Sequence, residues 1–78
     1  MYTVYVLLSL KKEWTYTGFT SDLNDRLFRH NNGYKKSTKA YAPFKLIYTE
    51  KCNSRIEARK REKFLKSGAG REFLKQFK

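Results

Sequence analysis

The chain has 78 residues, of which 40% are hydrophobic and 17% aromatic, and 18 Lys and Arg outnumber seven Asp and Glu to leave a net charge of +11. This length predicts a single domain over residues 1–78, and the aromatic content excludes a disordered segment. Because so much positive charge repels itself in a compact domain, the composition predicts a polyanionic partner, with a basic surface kept for solubility as the alternative.

Membrane association and export are not expected. No apolar run approaches the ~20 residues of a membrane span, and residues 1–4 lack the basic region of a signal peptide. We therefore expect a cytoplasmic protein. Cys52 is the only cysteine, so neither an internal disulfide nor a zinc cluster is available, and we expect it to pack in the core.

The first half of the chain predicts a hairpin. Residues 2–8 form an unbroken aromatic and β-branched run, which indicates a strand covered on both faces. Residues 9–13 are polar, and strand character resumes over residues 14–19. A connection this short predicts antiparallel pairing. Gly18 is predicted to end the second strand, where its backbone freedom is useful.

A helix is predicted next. Thr20 and Ser21 supply N-cap hydroxyls and Asp22 places negative charge in the first turn. The helix should run to about Asn31, because residues 32–33 are the stop signal Asn-Gly.

The faces of this first helix follow from its periodicity. Leu23, Leu27 and Phe28 are the predicted buried stripe. Arg26 and His30 are four residues apart, so both side chains should flank that packed face.

The second half predicts a loop, a strand and two helices. Residues 34–43 form a long connection of a kind that is often functional, and residues 44–49 a third strand. Ser54 and Glu57 match a capping box, which begins a helix that continues to about Lys66. A short helix over about residues 71–77 should pack Phe73 and Leu74. The predicted order is ββαβαα, an α/β domain around a small sheet.

Glu62 is an isolated acid in a basic helix. At 100° per residue it lies next to Ala58 and Leu65, which define the apolar stripe, with Arg59 and Lys66 on its other side. One interpretation is a surface acid paired with those two cations. The other is a ligand for Mg²⁺, which needs only one or two carboxylates. No set of His, Cys or paired Asp residues suggests a tighter transition-metal site.

Arg26 and His30 have the chemistry of a phosphate site. A guanidinium binds phosphate oxygens bidentately and stays charged, although Arg26 could equally pair with Asp22 or Asp25. His30, the only histidine, would be aimed at the same place, and its alternative role is a structural hydrogen bond.

Tyr5 and Tyr16 lie in the two strands of the hairpin, where tyrosines usually pack against neighbouring strands. A phenol with a pKa near ~10 is a poor base at neutral pH. A catalytic role requires nearby cations that favour the phenolate, so it depends on convergence with the other candidate residues.

These residues together resemble the GIY-YIG nuclease superfamily, in particular its small stand-alone bacterial members, which are related to the N-terminal nuclease domain of an excision-repair endonuclease. Residues 3–5, Thr-Val-Tyr, take the place of Gly-Ile-Tyr, and residues 16–18, Tyr-Thr-Gly, that of Tyr-Ile-Gly. Residues 18–26 match the stretch from glycine to arginine, residues 26–31 resemble the Arg…His-Asn helix, and residues 57–66 resemble the helix whose second Glu binds metal. The resemblance covers essentially the whole chain.

The resemblance implies a central three-stranded antiparallel sheet flanked by helices, and an endonuclease that acts in DNA repair with one Mg²⁺ or Mn²⁺ ion. It implies that Glu62 is the metal ligand and Arg26 the phosphate clamp. Tyr5 and Tyr16 are then the tyrosine pair, and His30 is an assisting group. The resemblance does not say which tyrosine is the base.

The sequence also departs from the family pattern. Thr3, Val4 and Thr17 replace a glycine and two isoleucines at strand positions, where they affect packing more than chemistry. The excision-repair member uses an asparagine about a dozen residues after the glutamate, where this chain has Leu74.

Two functional hypotheses follow. The first is a metal-dependent DNA endonuclease directed by structure more than by sequence, since phosphate contacts do not read bases. The second is a catalytically weak or inactive basic nucleic-acid-binding module, in which Tyr34 and Tyr41 could stack on bases. Neither needs a small-molecule cofactor. An acidic protein partner is a third, weaker hypothesis. The residues predicted to track the nucleic-acid backbone are Lys35, Lys36, Lys39, Arg59, Lys63 and Lys66.

Overall fold

The computed structural model describes residues 1–78, without the side chain of Ser37. Its strands are β1 (Tyr2–Ser9), β2 (Thr15–Thr20) and β3 (Phe44–Cys52), and its helices are α1 (Leu23–Asn31), α2 (Lys36–Lys39), α3 (Arg55–Lys66) and α4 (Gly68–Leu74), followed by a 3₁₀ turn (Lys75–Phe77). The predicted α/β order ββαβαα is confirmed. The single-turn helix α2 is an addition, within the connection predicted to lack regular structure.

The sheet is antiparallel throughout, with the strand order β2-β1-β3. β1 is therefore the central strand, which explains why its sequence is an unbroken apolar run: both of its faces are covered. Tyr5 pairs with Gly18 of β2 on one side and with Thr49 of β3 on the other. The outer edge of β2 has no strand partner among the described residues.

Helices α3 and α4 cover one face of the sheet. Val4 and Val6 of β1 form a buried cluster there with Ala58 and Leu65 of α3 and Leu74 of α4. Cys52 belongs to the same cluster and is 2% exposed, so its predicted packing role is confirmed.

The opposite face of β1 packs against α1. Successive strand residues point to opposite faces, so Tyr5 and Leu7 lie on this side, with Phe44 of β3 and the partly buried Leu23 and Leu27 of α1. His30 of α1 is also fully buried. The core therefore has two layers on either side of a three-stranded sheet.

The prediction that Phe28 belongs to the buried stripe of α1 is wrong, because Phe28 is 55% exposed and lies against Tyr34 with ring centroids 5.9 Å apart. Phe28 falls about 140° from Leu23 on the helical wheel. His30 is only about 20° from Leu23, so the histidine occupies the core position.

The helix ends also refine the predictions. Asp22, not Thr20 or Ser21, is the N-cap of α1: its carboxylate accepts from the amide of Asp25, and Thr20 Oγ1 accepts from the amide of Asp22. Ser54 caps α3 as predicted, with its hydroxyl accepting from the amide of Glu57.

The last helix begins at Gly68, earlier than predicted, because Ser67 caps it and accepts from the amide of Gly70. Leu74 is buried and Phe73 partly buried, as predicted. Among the elements that the structure describes, no helix is both long enough and apolar enough to cross a bilayer.

Candidate active site

The site is built around the hydroxyl of Tyr5, which extends from the central strand over β2. Tyr5 is fully buried and lies opposite Gly18 in the register. A Cβ atom at residue 18 would lie 2.9 Å from Tyr5 Oη and 3.1 Å from Tyr16 Cε2. Only a residue without a side chain leaves room for both tyrosines, so Gly18 shapes the site as well as the strand.

A chain of hydrogen bonds connects Tyr5 to α2. Tyr5 Oη lies 3.1 Å from His30 Nε2, His30 Nδ1 lies 3.1 Å from Thr38 Oγ1, and the Thr38 hydroxyl donates to the Lys35 carbonyl at 3.4 Å. Because the Thr38 proton is directed at that carbonyl, its oxygen accepts from Nδ1–H of His30. Nε2 is then the acceptor, and Tyr5 donates to it.

His30 is held neutral within this chain. Burial lowers the pKa of the imidazole below its ordinary value of 6.5, and the positive charges of Lys35 and Arg26 lower it further. Tyr16 contacts the same imidazole, with ring centroids 4.8 Å apart, and lies 6.2 Å from the ring of Tyr5. The predicted residues Tyr5, Tyr16 and His30 thus form one cluster.

Arg26 and Glu62 act on the same phenol. Burial raises the pKa of Tyr5 to about 12, and Tyr16 contributes in the same direction. The guanidinium of Arg26 opposes this rise, whereas the carboxylate of Glu62 adds to it, more weakly. Both charges therefore lie close enough to influence the Tyr5 hydroxyl, although they come from helices on opposite faces of the sheet.

Glu62 reaches this region from the flank of α3 that faces β2. The guanidinium of Arg55 lies 5.9 Å from the ring centroid of Phe19, and Lys66 lines a cleft with Tyr16. Arg55, Glu62 and Lys66 lie within about 40° of one another on the helical wheel, so Glu62 faces the middle of β2, between these two contacts.

The opposite flank of α3 is occupied by a structural ion pair. Arg61 Nε lies 2.7 Å from Glu50 Oε2, and the same glutamate accepts a 2.7 Å hydrogen bond from Tyr48. This pair directs that flank of the helix towards β3. The two acids thus have separate surroundings: Glu50 is held by Arg61 and Tyr48, and Glu62 faces the β2 edge.

The predicted alternatives for these charged residues are resolved in part. Asp25 pairs with Arg29 at 2.9 Å, and no ion pair of Arg26 occurs among the described residues. Glu62 pairs with Lys66 at 3.7 Å, as its surface interpretation predicted. That pair is long, and the lysine side chain is 56% exposed, so it stabilises the helix little and leaves the carboxylate available to a stronger partner.

The donor set suits a weakly held cation. Among the described side chains, no group of three or more His, Cys, Asp or Glu lies together in a way that could hold a metal. Glu62 is a single carboxylate with 21% of its side chain exposed. Mg²⁺ is commonly bound through one or two carboxylates together with waters and substrate phosphate oxygens, so Glu62 fits such an ion only when substrate supplies further ligands.

The predicted backbone-tracking residues are distributed over α2 and α3. Lys35 precedes α2, where its charge acts on His30. Lys36 and Lys39 are exposed on α2, and Arg59 and Lys63 are exposed on α3. Of the predicted base-stacking tyrosines, Tyr34 is 65% exposed, whereas Tyr41 is stacked on Trp14 with ring centroids 4.0 Å apart.

Thr38 is the site residue that the sequence did not predict. It is fully buried and holds Nδ1 of His30. A single threonine in a lysine-rich connection carries no local signal for this role, since its partner is eight residues away. Asn31 is another such contact: its Oδ1 accepts a 2.7 Å hydrogen bond from the amide of Phe44, which joins α1 to β3.

Comparison with known proteins identifies the family of this chain. The model of the GIY-YIG catalytic domain matches residues 1–74. The chain belongs to the GIY-YIG family. The matched span includes every candidate catalytic residue, from Tyr5 to Glu62.

The related GIY-YIG chains are small. A UPF0213 protein of Clostridium perfringens is 42% identical over 64 residues, which cover 81% of this chain and 68% of that protein. One of Staphylococcus epidermidis is 41% identical over 61 residues, covering 77% and 74%. The solution NMR structure of a UPF0213 protein from Bacillus halodurans matches with a TM-score of 0.58 and 33% identity, covering 100% of this chain and 86% of that one.

Family membership has a general functional meaning. The GIY-YIG domain is a nuclease domain, and nucleases that contain it generally use a divalent metal. Family membership therefore points to phosphodiester chemistry as the class of activity to be considered.

Proposed function

We propose that this protein is a divalent-metal-dependent endonuclease that hydrolyses phosphodiester bonds in DNA and selects its substrate by structure more than by sequence. One observation carries the proposal: the Tyr5 hydroxyl lies against Gly18 of β2, 3.1 Å from His30 Nε2 and beside the ring of Tyr16. The charges of Arg26 from α1 and Glu62 from α3 act on the same hydroxyl, so we infer that a cation for the phosphate and a carboxylate for a metal lie near this phenol.

Arg26 is proposed to bind the scissile phosphate. Its guanidinium has the planar geometry that matches two phosphate oxygens. Of its two alternative partners, Asp25 pairs with Arg29 and the carboxylate of Asp22 caps α1. The phosphate would supply the negative charge with which Arg26 forms no ion pair inside the described structure. Binding also places the phosphorus atom beside the tyrosine pair.

Glu62 is proposed to hold one Mg²⁺ or Mn²⁺ ion, which when bound would neutralise charge that develops on the phosphate. Lys66 must then release Glu62, and the 3.7 Å separation makes this a small penalty. Lys66 remains nearby as a phosphate contact. The wider set of proposed backbone contacts is Lys35, Lys36, Lys39, Arg59, Lys63 and Lys66.

Tyr5 and His30 are proposed to move the proton of the attacking water. As the water oxygen bonds to phosphorus, the water proton passes to Tyr5 Oη, and Tyr5 passes its own proton to His30 Nε2 along the 3.1 Å hydrogen bond. The bond from phosphorus to the leaving oxygen breaks in the same step, and that oxygen takes a proton from solvent. The exchange at Tyr5 avoids a free phenolate, which a pKa of about 12 disfavours. Tyr16 positions the imidazole through its ring contact.

The test is the nicking of supercoiled DNA with Mg²⁺ or Mn²⁺ by the wild type, Glu62→Gln and Glu57→Gln. Glu57 is the matched control, because it lies exposed in the first turn of the same helix. Loss of metal catalysis is worth several kcal/mol, so we expect Glu62→Gln to reduce the rate by at least about 100-fold and Glu57→Gln to leave it unchanged. Equal rates for the two variants would overturn the assignment of Glu62.

A second candidate function is a nucleic-acid-binding module without turnover. The observation that favours it is Leu74, which is 2% exposed in the apolar core at the position where the excision-repair member uses an asparagine. Such a module would bind DNA with a steep salt dependence yet release no metal-dependent product. Wild-type protein that binds but never nicks DNA in the same assay would select this function.

A further inference from the structure

The outer edge of β2 is flanked by clefts at both of its ends. At the end near Trp14, a cleft of about 280 Å³ is lined by Tyr16, Lys66 and Arg71, among others. A second cleft, of about 380 Å³, is lined by Lys75 and Lys78 and shares Trp14, Thr15 and Arg71 with the first. The shared residues make the two clefts one continuous groove, which leads away from Tyr16.

The opposite end of β2 has a cleft of its own. Its volume is about 300 Å³, and its lining includes Phe19, Ser21, Arg26 and Arg55. Arg26 belongs both to this cleft and to the candidate active site, so the cleft begins where the site ends. Gly18 and the tyrosine pair therefore lie between two grooves along the same edge of the sheet.

Both grooves are basic. Among the described residues that line them, Glu13 is the only acid. The basic residues that line them are Arg26, Arg55, Lys66, Arg71, Lys75 and Lys78. Arg55 and Arg71 are exposed and form no ion pair within the part of the chain that the structure describes. These two arginines therefore lack an anionic partner, one on each side of the site.

We propose that the outer edge of β2 is the binding track for one strand of a nucleic acid, with Arg55 and Arg71 contacting its phosphates on opposite sides of the scissile bond. This inference rests on the proposed function, because that function places the scissile bond next to Gly18. The six residues of β2 span about 17 Å, which is the length of the track.

Trp14 provides an optical probe of this track. It is the only tryptophan in the chain, it lines both clefts at its end of β2, and its ring is held by stacking on Tyr41. A strand that occupies the groove changes the environment of this one indole. DNA bound only through the lysines of α2 would leave the indole in its free environment.

The experiment measures DNA binding against salt concentration in the Glu62→Gln protein, so that no cleavage is required. Arg55→Ala, Arg71→Ala and the double variant are compared with Lys51→Ala. Lys51 is the matched control, because it is exposed on β3 at the opposite edge of the sheet. Circular dichroism checks that each variant is folded.

Each lost phosphate contact should reduce the slope of log K against log salt by about 0.9 for duplex DNA, or about 0.7 for a single strand. We expect one such step for each single arginine variant, two for the double variant and none for Lys51→Ala, together with a change in Trp14 emission on binding. Slopes that match Lys51→Ala, or Trp14 emission that binding does not alter, would overturn the track.

The outcomes separate this inference from the proposed function. If the wild type nicks DNA normally but the arginine variants keep the full slope, the track is wrong and the nuclease stands. If the slopes fall as expected but the wild type never nicks DNA, the nuclease is wrong and the track is a binding surface of the second candidate function.

Discussion

The two faces of the central strand have different chemistry. Towards α3 and α4, Val4 and Val6 belong to a buried cluster of apolar side chains. Towards α1, Tyr5 and Leu7 share the interior with His30 and Thr38, both fully buried. Burying polar groups is costly unless they are hydrogen-bonded, and here each is bonded to the next. One face stabilises the fold, and the other keeps titratable groups in a dry environment suited to catalysis.

Two glycines show the same division. A Cβ atom at Gly70, between α3 and α4, would overlap the carbonyl oxygen of Phe64 and lie 2.5 Å from Cα of Leu65. At Gly18, the added atom would meet the rings and hydroxyl of Tyr5 and Tyr16. Backbone must move in the first case, whereas only the side chains of Tyr5 and Tyr16 must move in the second.

The largest expected effect is that of Gly70→Ala on stability. Because the new methyl group would displace backbone that carries the apolar cluster, we expect the free energy of unfolding to fall by about 3 kcal/mol, measured by urea denaturation. The matched control is Gly68→Ala, where nothing lies within 4 Å and a gain of about 0.5 kcal/mol is expected. Equal effects of the two substitutions would show that the α3–α4 contact is not tightly packed.

A smaller loss of stability is expected for Gly18→Ala, with a larger loss of function. The tyrosine side chains can shift, so the free energy of unfolding should fall by about 1 kcal/mol. Displacing Tyr5 Oη from the site should reduce DNA nicking about 100-fold, since a misplacement of about 1 Å has that effect. Nicking at the wild-type rate would mean that the tyrosine positions do not limit catalysis.

The smallest expected effect is a pH dependence of the free energy of unfolding, which arises from His30 on the α1 face. His30 has a lowered pKa in the folded protein, so between its ordinary value of 6.5 and that lower value the unfolded chain binds more protons. The stability that depends on a neutral His30 is therefore fully present above pH 6.5, and it is lost as the pH falls through this window. His30→Gln should lack this component in urea titrations at several pH values. The same acid profile in both proteins would contradict the neutral, buried imidazole.

Local patterns predicted much of the fold. The unbroken run over residues 2–8 indicated the central strand, because only a strand covered on both faces tolerates it. Ser54 and the spacing of Ala58 and Leu65 predicted α3 and its buried stripe, and the structure confirms both. Phe28 was misplaced because sequence hydrophobicity favours a phenylalanine over a histidine as a core residue, whereas the hydrogen bonds of His30 offset the cost of its burial.

The site was less predictable than the fold. Thr38 had no local signal, and Arg55 and Arg71 belong to helices whose orientation along β2 depends on tertiary packing. Helix periodicity placed Glu62 at the edge of the core, but it could not say which edge of the sheet that flank would face. The pair between Arg61 and Glu50 on the other flank accompanies this orientation, and it joins residues eleven positions apart.

The sequence by itself determined the order of the main elements, the Ser54 cap of α3 and the family to which the motifs point, because these depend on local residue patterns. Only the tertiary structure decided that Arg26 and Glu62, on helices that cover opposite faces of the sheet, would influence the same Tyr5 hydroxyl. The physical reason is the edge position of β2 together with the absent side chain at Gly18. The charge of Glu62 acts from the flank of α3 next to β2, and the glycine leaves room for the Tyr5 hydroxyl over that strand.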